Sequence, residues 1–433
     1  MRLKQRPEDF QVTESWRFDP APRGEWFVYV MDKQKLSTFD AVDRLCARTG
    51  VKHADVSYCG LKDKQGRTTQ LVAVRGRPIE VQDSDLRLKP VGRTAEPLSA
   101  ANTTSNRFAV TVRDLSAEDL ARLPASVAEV QRLGVVNYFD SQRFGSLKHG
   151  QGFLVKELMR GEFELALRNY LARPSELDDT PDARVKAFWK ENWGDWKRVP
   201  SIPGAERYDA IIRWLRKHPT DWLGAFLRTE PRWRGLQVFT YQSWLWNEGV
   251  KQYLRDVVGI SRLSAIRYQA GTLLFPRSLD GAEADELRHR TFPLLAPGSK
   301  IEDPRVRAAA LSVLAREGQN LDSLRVPGTE QIHFDPEVRP LLVFPGRLVV
   351  GEAREDELNR GRMRANVAFT LPPGAYATLV VKRLFHWTLE PGRKAPAPRP
   401  KAPRKATPEE LHEQRRQTGF LARKRARRAA RKG

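Results

Sequence analysis

The stretch Tyr58-Cys59-Gly60-Leu61-Lys62-Asp63-Lys64-Gln65-Gly66-Arg67-Thr68-Thr69-Gln70 carries the residues of this chain best suited to chemistry. One carboxylate, Asp63, stands between Lys62 and Lys64, with Arg67 close behind. Neighbouring cations favour the ionised carboxylate, which can then serve as a nucleophile or a general base. The apolar run from Val56 to Cys59 leads in and Leu71 to Val74 leads out, so two short strands are expected to flank a loop. Gly60 and Gly66 would supply the backbone angles of a tight turn. On residue types alone the same pattern also describes a solvated hairpin tip, because charged turns are common.

A second constellation is Val136-Asn137-Tyr138-Phe139-Asp140-Ser141-Gln142-Arg143-Phe144-Gly145. Its aromatic rings, two amides and one arginine could stack a base and hold a phosphate. They could equally form an aromatic core strand running into a polar turn. Lys4, near the start of the chain, reads by itself as a solvated cation. Asn106, just before the alternating run Ala109–Arg113, reads as a turn residue.

The elements that must position these groups follow from periodicity. Alternation from Asp9 onward predicts a half-buried strand, and Glu25–Val30 a second. Phe39, Val42, Leu45 and Cys46 recur at helical spacing within 36–49, with Ser37 or Thr38 as the N-cap. Helical character returns over 153–170 and 207–222, separated by a polar stretch containing Pro174, Pro181, Pro200 and Pro203 that reads as loop. Residues 234–257 read as one long helix. Most of the eight tryptophans from Trp189 to Trp246 are expected to be core. Short apolar runs broken by Gly and Pro fill 267–339, and a further strand begins at Leu341.

Composition narrows the partner. The chain has 433 residues, with 75 Lys and Arg against 53 Asp and Glu, a formal charge of +22. A polyanion is therefore expected, with RNA, DNA and an anionic membrane surface all compatible. No apolar run approaches the ~20 residues that span a bilayer, and the first residues lack a signal-peptide core. Cys46 and Cys59 are too few for a disulfide framework and read as small buried hydrophobes, which fits a reducing, cytoplasmic setting. The seven histidines show no metal-ligand spacing, and no phosphate-cradling glycine loop or nucleophile elbow occurs, so neither metal nor cofactor is expected. From Gly392 to Gly433, fifteen Lys and Arg face three acids, a net of +12. Five prolines make the first half of this tail extended, and a helix is expected from Pro408 to Arg431 at least when bound. Such a tail should add salt-sensitive RNA affinity.

The wording of several segments points further. Gly-Leu-Lys-Asp-Lys followed by Thr-Thr-Gln (60–70) resembles the active-site signature of the TruD family of pseudouridine synthases. Lys-x-x-Pro-Glu-Asp-Phe-x-Val-x-Glu (4–14), Asn-Tyr-Phe-x-x-Gln-Arg-Phe-Gly (137–145), Tyr241-Gln242-Ser243 with Asn247, and Leu-Pro-x-Gly-x-Tyr-Ala-Thr (371–378) are similar to further family segments. Asp140 stands where the family usually has glycine, and Ala375 where serine is frequent. The resemblance implies that Asp63 is the catalytic residue, that Lys4 pairs with it, and that Phe139 stacks on the target uracil. It places Lys62, Lys64, Arg67, Asn106, Asn137, Gln142 and Arg143 among candidates for holding RNA. It also implies an α/β (α+β) fold, a mixed, largely antiparallel sheet with flanking helices. Residues 1–154 with 341–390 would form the catalytic domain, 155–340 an inserted domain, and 391–433 the basic tail. The expected reaction is isomerisation of uridine, most commonly tRNA uridine 13, by a monomer. Asp140 keeps a second expectation open, a non-catalytic RNA-binding or ribosome-assembly factor. An RNA hydrolase fits less well, since no carboxylate cluster or histidine pair is present.

Overall fold

The computed structural model describes residues 1–145, 147, 152–175, 178 and 180–389. The basic tail and its expected helix lie outside the described residues, as does much of the expected domain boundary after Gly145. The element that sets the sheet is β1 (Phe10–Trp16), which buries Phe10, Val12 and Glu14 on one face and exposes Gln11 and Thr13. Hydrophobic alternation explains the first two; Glu14 is buried for its partners, described below. Next come β2 (Trp26–Gln34) and α1 (Thr38–Thr49). Ser37 caps α1 by accepting the Asp40 N–H, and the helix ends on Gly50 at φ +70°.

β3 (Val56–Tyr58) and β4 (Arg67–Arg75) form an antiparallel pair around the Asp63 loop, so Thr68, Thr69 and Gln70 belong to the strand. β5 (Leu86–Thr94), β6 (Thr103–Leu115) and α2 (Ala117–Leu133) follow. Asn106 lies inside β6 and not in a turn, because its backbone bridges β1 and the last strand. β7 (Val135–Val136) is the only regular strand of the Asn137 segment, which continues as irregular chain and a single 3₁₀ turn, Ser141–Phe144.

A helical region comes next: α3 (Leu154–Met159), α4 (Phe163–Leu171), α5 (Thr180–Glu191), α6 (Asp209–Lys217), α7 (Trp222–Phe226) and α8 (Pro231–Val258). The expected 153–170 helix is broken at Gly161, which sits at φ +74°. The stretch expected to be loop contains α5, because Pro181 occupies the first turn, where a missing N–H does no harm. β8 (Leu263–Tyr268) and β9 (Gly271–Pro276) form a hairpin, and α9 (Gly281–His289), β10 (Thr291–Leu294) and α10 (Pro304–Arg316) follow. β11 (Glu337–Pro340) pairs with β10, and β12 (Leu342–Val343) with β7. The chain returns through β13 (Gly346–Val350), β14 (Arg354–Glu355), β15 (Met363–Leu371) and α11 (Ala377–Leu384).

The main sheet has nine strands, in the order β13-β15-β6-β1-β4-β2-β5, with β14 on β15 and β3 on β4. Only β1 and β4 pair in parallel, so the expected mixed, largely antiparallel sheet with flanking helices is what forms. One face of β2, β4 and β5 packs on α1 through Tyr29, Met31, Val42, Leu45, Val72 and Leu88. The larger cluster runs from Phe10, Val12 and Phe108 in the sheet to Trp246 in α8 and Trp387 near the end of the described chain. Cys46 and Cys59 are both buried free thiols.

The parallel pair positions the chemistry. Gln11 lies beside Arg67 and Thr13 beside Thr69, so β1 and β4 start at the same end of the sheet. Residues just upstream of each strand must therefore converge, and those residues are Lys4 and Asp63.

Candidate active site

Lys4 and Asp63 do converge: the Lys4 ammonium forms an ion pair and hydrogen bond with Oδ2 of Asp63, both side chains being largely sheltered. Lys4 holds φ at +55°, a left-handed conformation uncommon outside glycine, and strain of this kind collects at functional sites. Its Nζ also lies 4.1 Å from the centre of the Phe10 ring, a cation–π contact that fixes the ammonium from a second direction. Oδ1 of Asp63 accepts the Gln65 N–H at 2.9 Å, and its main-chain carbonyl accepts Lys33 Nζ at 3.2 Å.

Lys33 carries no signal in the loop sequence, yet it is 1% exposed. Its Nζ also donates to the Leu36 carbonyl at 2.7 Å, tying the entry to α1 to the Asp63 loop. Burial pulls its pKa down from 10.5 to about 8, against the attraction of Asp63. Thr38 closes the other side: its hydroxyl accepts the Lys62 N–H at 2.9 Å and donates to Gln70 Oε1, while Gln70 Nε2 donates to the Gly60 carbonyl. The loop is thus braced from α1, β2 and β4. Neither glycine supplies a left-handed angle, contrary to the sequence reading. Gly66 is needed for close approach, since a Cβ there would lie 2.3 Å from the Phe10 carbonyl oxygen, and Gly60 faces open space.

The flanking cations differ in what they reach. Lys62 turns inward, and its Nζ meets Oε1 of Glu14 at 2.5 Å. Glu14 also accepts the Leu71 N–H at 2.9 Å and the Thr103 hydroxyl at 3.0 Å, which explains a carboxylate on the buried face of β1. Lys64 pairs with Asp40 at 3.0 Å, and Arg67 makes a two-nitrogen contact with Asp32 at 3.2 and 2.7 Å, both at the surface. Asn106, opposite Glu14 across the strands, keeps a buried Oδ1 with no partner among the described residues.

The second constellation is built where the β7 segment meets α8 and the approach to α11. Asn247 in α8 clamps Phe139 reciprocally, its Oδ1 accepting the Phe139 N–H at 2.9 Å and its Nδ2 donating to the Phe139 carbonyl at 2.8 Å. The Phe139 ring is 2% exposed and meets Phe239, Trp246 and Tyr376 edge-on. Arg339, which the sequence reading missed, lies over that ring at 4.4 Å. Arg339 also donates to the Asn137 carbonyl, to Asn137 Oδ1 and to the Gly374 carbonyl at 2.7–2.9 Å. Asn137 Nδ2 reaches the Pro340 carbonyl at 3.3 Å, so this buried amide acts within the protein frame. Arg143 lies over Phe239 at 4.3 Å and donates to the Tyr376 hydroxyl at 3.2 Å; Gln142 is exposed.

Asp140 is 2% exposed in extended backbone. Its carboxylate accepts Lys382 Nζ and the Thr378 hydroxyl, each at 2.5 Å, and the Ser141 N–H at 2.7 Å. The negative charge that departs from the family's usual glycine is therefore inside and compensated. Among the described residues no hydrogen bond, ion pair or ring contact joins the Lys4–Asp63 pair to the Phe139 cluster, and no three His, Cys, Asp or Glu side chains form a group that could hold a metal ion.

A basic α/β protein with a cation-paired aspartate on a braced loop and a separate aromatic and guanidinium cluster is the class that fold and site define. Its fold is that of the crystal structure of a "Putative tRNA pseudouridine synthase D (TruD)" from Methanosarcina mazei, with a TM-score of 0.63 at 24% identity over 89% of this chain and 93% of that one. A "Probable tRNA pseudouridine synthase D 2" of Methanocaldococcus jannaschii is 30% identical over 89% of this chain and 92% of its own length. The tRNA pseudouridine synthase D of Aquifex aeolicus is 28% identical over 89% and 98%. The family model described as tRNA pseudouridine synthase D (TruD) matches residues 1–384. The chain belongs to the TruD family and is a pseudouridine synthase, an isomerase.

Proposed function

We propose that this enzyme isomerises uridine to pseudouridine in tRNA, at uridine 13, with Asp63 as the catalytic carboxylate. The observation that carries the assignment is the Lys4–Asp63 pair on a loop held by Lys33, Thr38 and Gln70. An aimed carboxylate can act either on the anomeric carbon of the ribose or on the 2′-hydrogen. In both routes the carbon–nitrogen bond of the nucleoside breaks, the uracil turns, and a bond to carbon five forms; on the first route that step breaks the carboxylate's bond to the anomeric carbon, and on the second the 2′-proton is returned. The carbon-five proton then leaves and the ring nitrogen regains one, so the change is an isomerisation. Lys4 keeps the carboxylate directed and offsets phosphate charge nearby.

The target nucleotide must leave its stack to reach such a site. Phe139 is the platform for its ring in this reading, with Gln142 and Arg143 at the strand and Asn137 behind. The ring is covered in the free protein, so RNA binding has to uncover one face. Residues 1–154 with 341–390 carry the chemistry, 155–340 supplies the opposite wall, and the enzyme works as a cytoplasmic monomer without metal or cofactor. The test is pseudouridine mapping at single-nucleotide resolution in unmodified tRNA transcripts, wild type beside Asp63→Asn. Product at uridine 13, lost in the variant while tRNA binding persists, is the expected result. Equal product from both proteins would remove Asp63 from the mechanism, and product at another uridine would correct the site.

A further inference from the structure

Buried cations usually find carboxylates, because an unpaired charge away from water is costly. This protein follows the rule at Arg113, which meets Asp9, Asp356 and Glu357, and at Lys186, which meets Asp178 and Asp182. Arg339 breaks it, and the half-buried Arg143 near the same ring shares its lack of a carboxylate. Arg339 is 9% exposed, and neither it nor Arg143 forms an ion pair among the described residues. Glu337, exposed two residues before Arg339, acts on it only at longer range.

Both guanidiniums are instead held by aromatic rings and neutral oxygens. Arg339 lies 4.4 Å over Phe139 and 5.6 Å over Trp246, with Nε and Nη2 bound to Asn137 and Gly374. Its Nη1 has no acceptor among the described residues and is not among the fully buried atoms left without one, so it keeps some contact with solvent. Arg143 lies 4.3 Å over Phe239 and 5.9 Å from Phe139, so the two cations share one ring between them. Burial pushes the Arg339 pKa down to about 10; Tyr376 and Glu337 oppose this, and Arg143 adds a like-charge push in the same direction. Two cations gathered at one ring without a carboxylate make a place suited to an anion.

We propose that Arg339 and Arg143 form a phosphate subsite that takes a backbone phosphodiester of the bound RNA strand beside Phe139. This rests on the RNA-modifying reading above. Arg339 is the rigid member, with one nitrogen free and the others fixed by Asn137 and Gly374, and Arg143 closes from the more exposed side. The subsite also gives Asn137 a task, which is to hold Arg339 and not the RNA.

The test uses the full-length protein and an unmodified tRNA transcript, with binding measured over a series of salt concentrations. Each phosphate contact removed should lower the slope of log K against log salt by about 0.7–0.9. Arg143→Gln is expected to lose one such step and to raise KM about tenfold with kcat nearly unchanged. Arg339→Gln should lose one step as well, and the double variant two. Arg339→Lys keeps the charge without the fork, so it should keep the salt slope while pseudouridine formation slows. Arg198→Gln, which removes an exposed arginine already paired with Asp195, should leave the slope unchanged. Should Arg339→Gln fail to fold, Arg143→Gln and Arg339→Lys carry the test. Slopes equal to wild type in folded Arg143→Gln and Arg339→Gln would overturn the subsite even if the wild type makes pseudouridine. Lowered slopes in these variants, beside a wild type that makes no pseudouridine in any tRNA, would keep the subsite and overturn the functional reading.

Discussion

Replacing Lys33 by Met tests whether the loop carrying Asp63 is held by a buried charge. Lys33 is 1% exposed, with Nζ on the carbonyls of Leu36 and Asp63. Burial lowers its pKa from 10.5 to about 8, opposed by Asp63 and Asp40 and reinforced by Lys62. A lysine whose folded pKa is depressed makes the unfolded chain the better proton binder between the two values, so stability rises with pH from about 8 to about 10.5. Below that window both states are protonated and the whole penalty remains, about 3 kcal/mol at 1.36 kcal/mol per unit. Met removes the charge but leaves two carbonyls without a donor, at about 1–3 kcal/mol each, so stability at pH 7.5 should change little. At pH 10 the wild type has shed most of its penalty and the variant had none to shed. Urea unfolding of both proteins should therefore show the wild type gaining about 2–3 kcal/mol relative to Lys33→Met between pH 7.5 and 10, other titrations cancelling in the difference. Turnover gives the functional half. Wild-type kcat should fall several-fold as pH rises through about 8 and the bond to the Asp63 carbonyl loses its charge. The variant should run lower throughout and lack that limb. Parallel stability curves, or superimposable pH–rate profiles, would refute the argument that Lys33 positions Asp63.

Asp140→Gly, which installs the residue usual in the family, should destabilise this protein by about 3–5 kcal/mol, because Lys382 is left sheltered without its carboxylate; denaturant unfolding measures it, and a neutral outcome would mean that the pair is not needed. Gly66→Ala places a methyl against the Phe10 carbonyl at 2.3 Å, so the start of β4 must shift. The expected cost is about 1–3 kcal/mol in unfolding, with a proportionally larger loss in kcat as Asp63 moves with the strand.

How much of this was legible in the residues depends on how local each signal is. The Ser37 cap, the Asp63 loop between two strands and the long helix ending at Val258 are written within one turn or one strand of themselves, and they formed where expected. β5 and α2 went unassigned, although Leu86 and Leu88 alternate with charged residues and Ser116 with Asp119 makes a capping box. Lys33 was readable in principle: period two along β2 puts it on the face of Tyr29 and Met31, and a lysine on a buried face must have acceptors. Lys62 was misplaced for a different reason. Nothing near it in the sequence announces Glu14, forty-eight residues away, which draws it inward.

Arg339 was beyond reach, because the three groups it joins lie 202 residues upstream at Asn137 and 35 downstream at Gly374, with the Phe139 ring between. The Lys4–Asp63 pairing was legible only through the family resemblance, and the fold supplies its physical reason. Lys4 and Asp63 each lie a few residues before a strand, and once those strands pair in parallel their lead-ins have to meet. A contact between distant residues has a simple basis when a strand register delivers it, and stays hidden when it runs from loop to loop and no periodicity encodes it. Arg339 and Lys382 are of the second kind: each joins the Asn137–Asp140 segment from more than 200 residues away. Of their partners, Asn137 read as a candidate for holding RNA, and both it and Asp140 face inward.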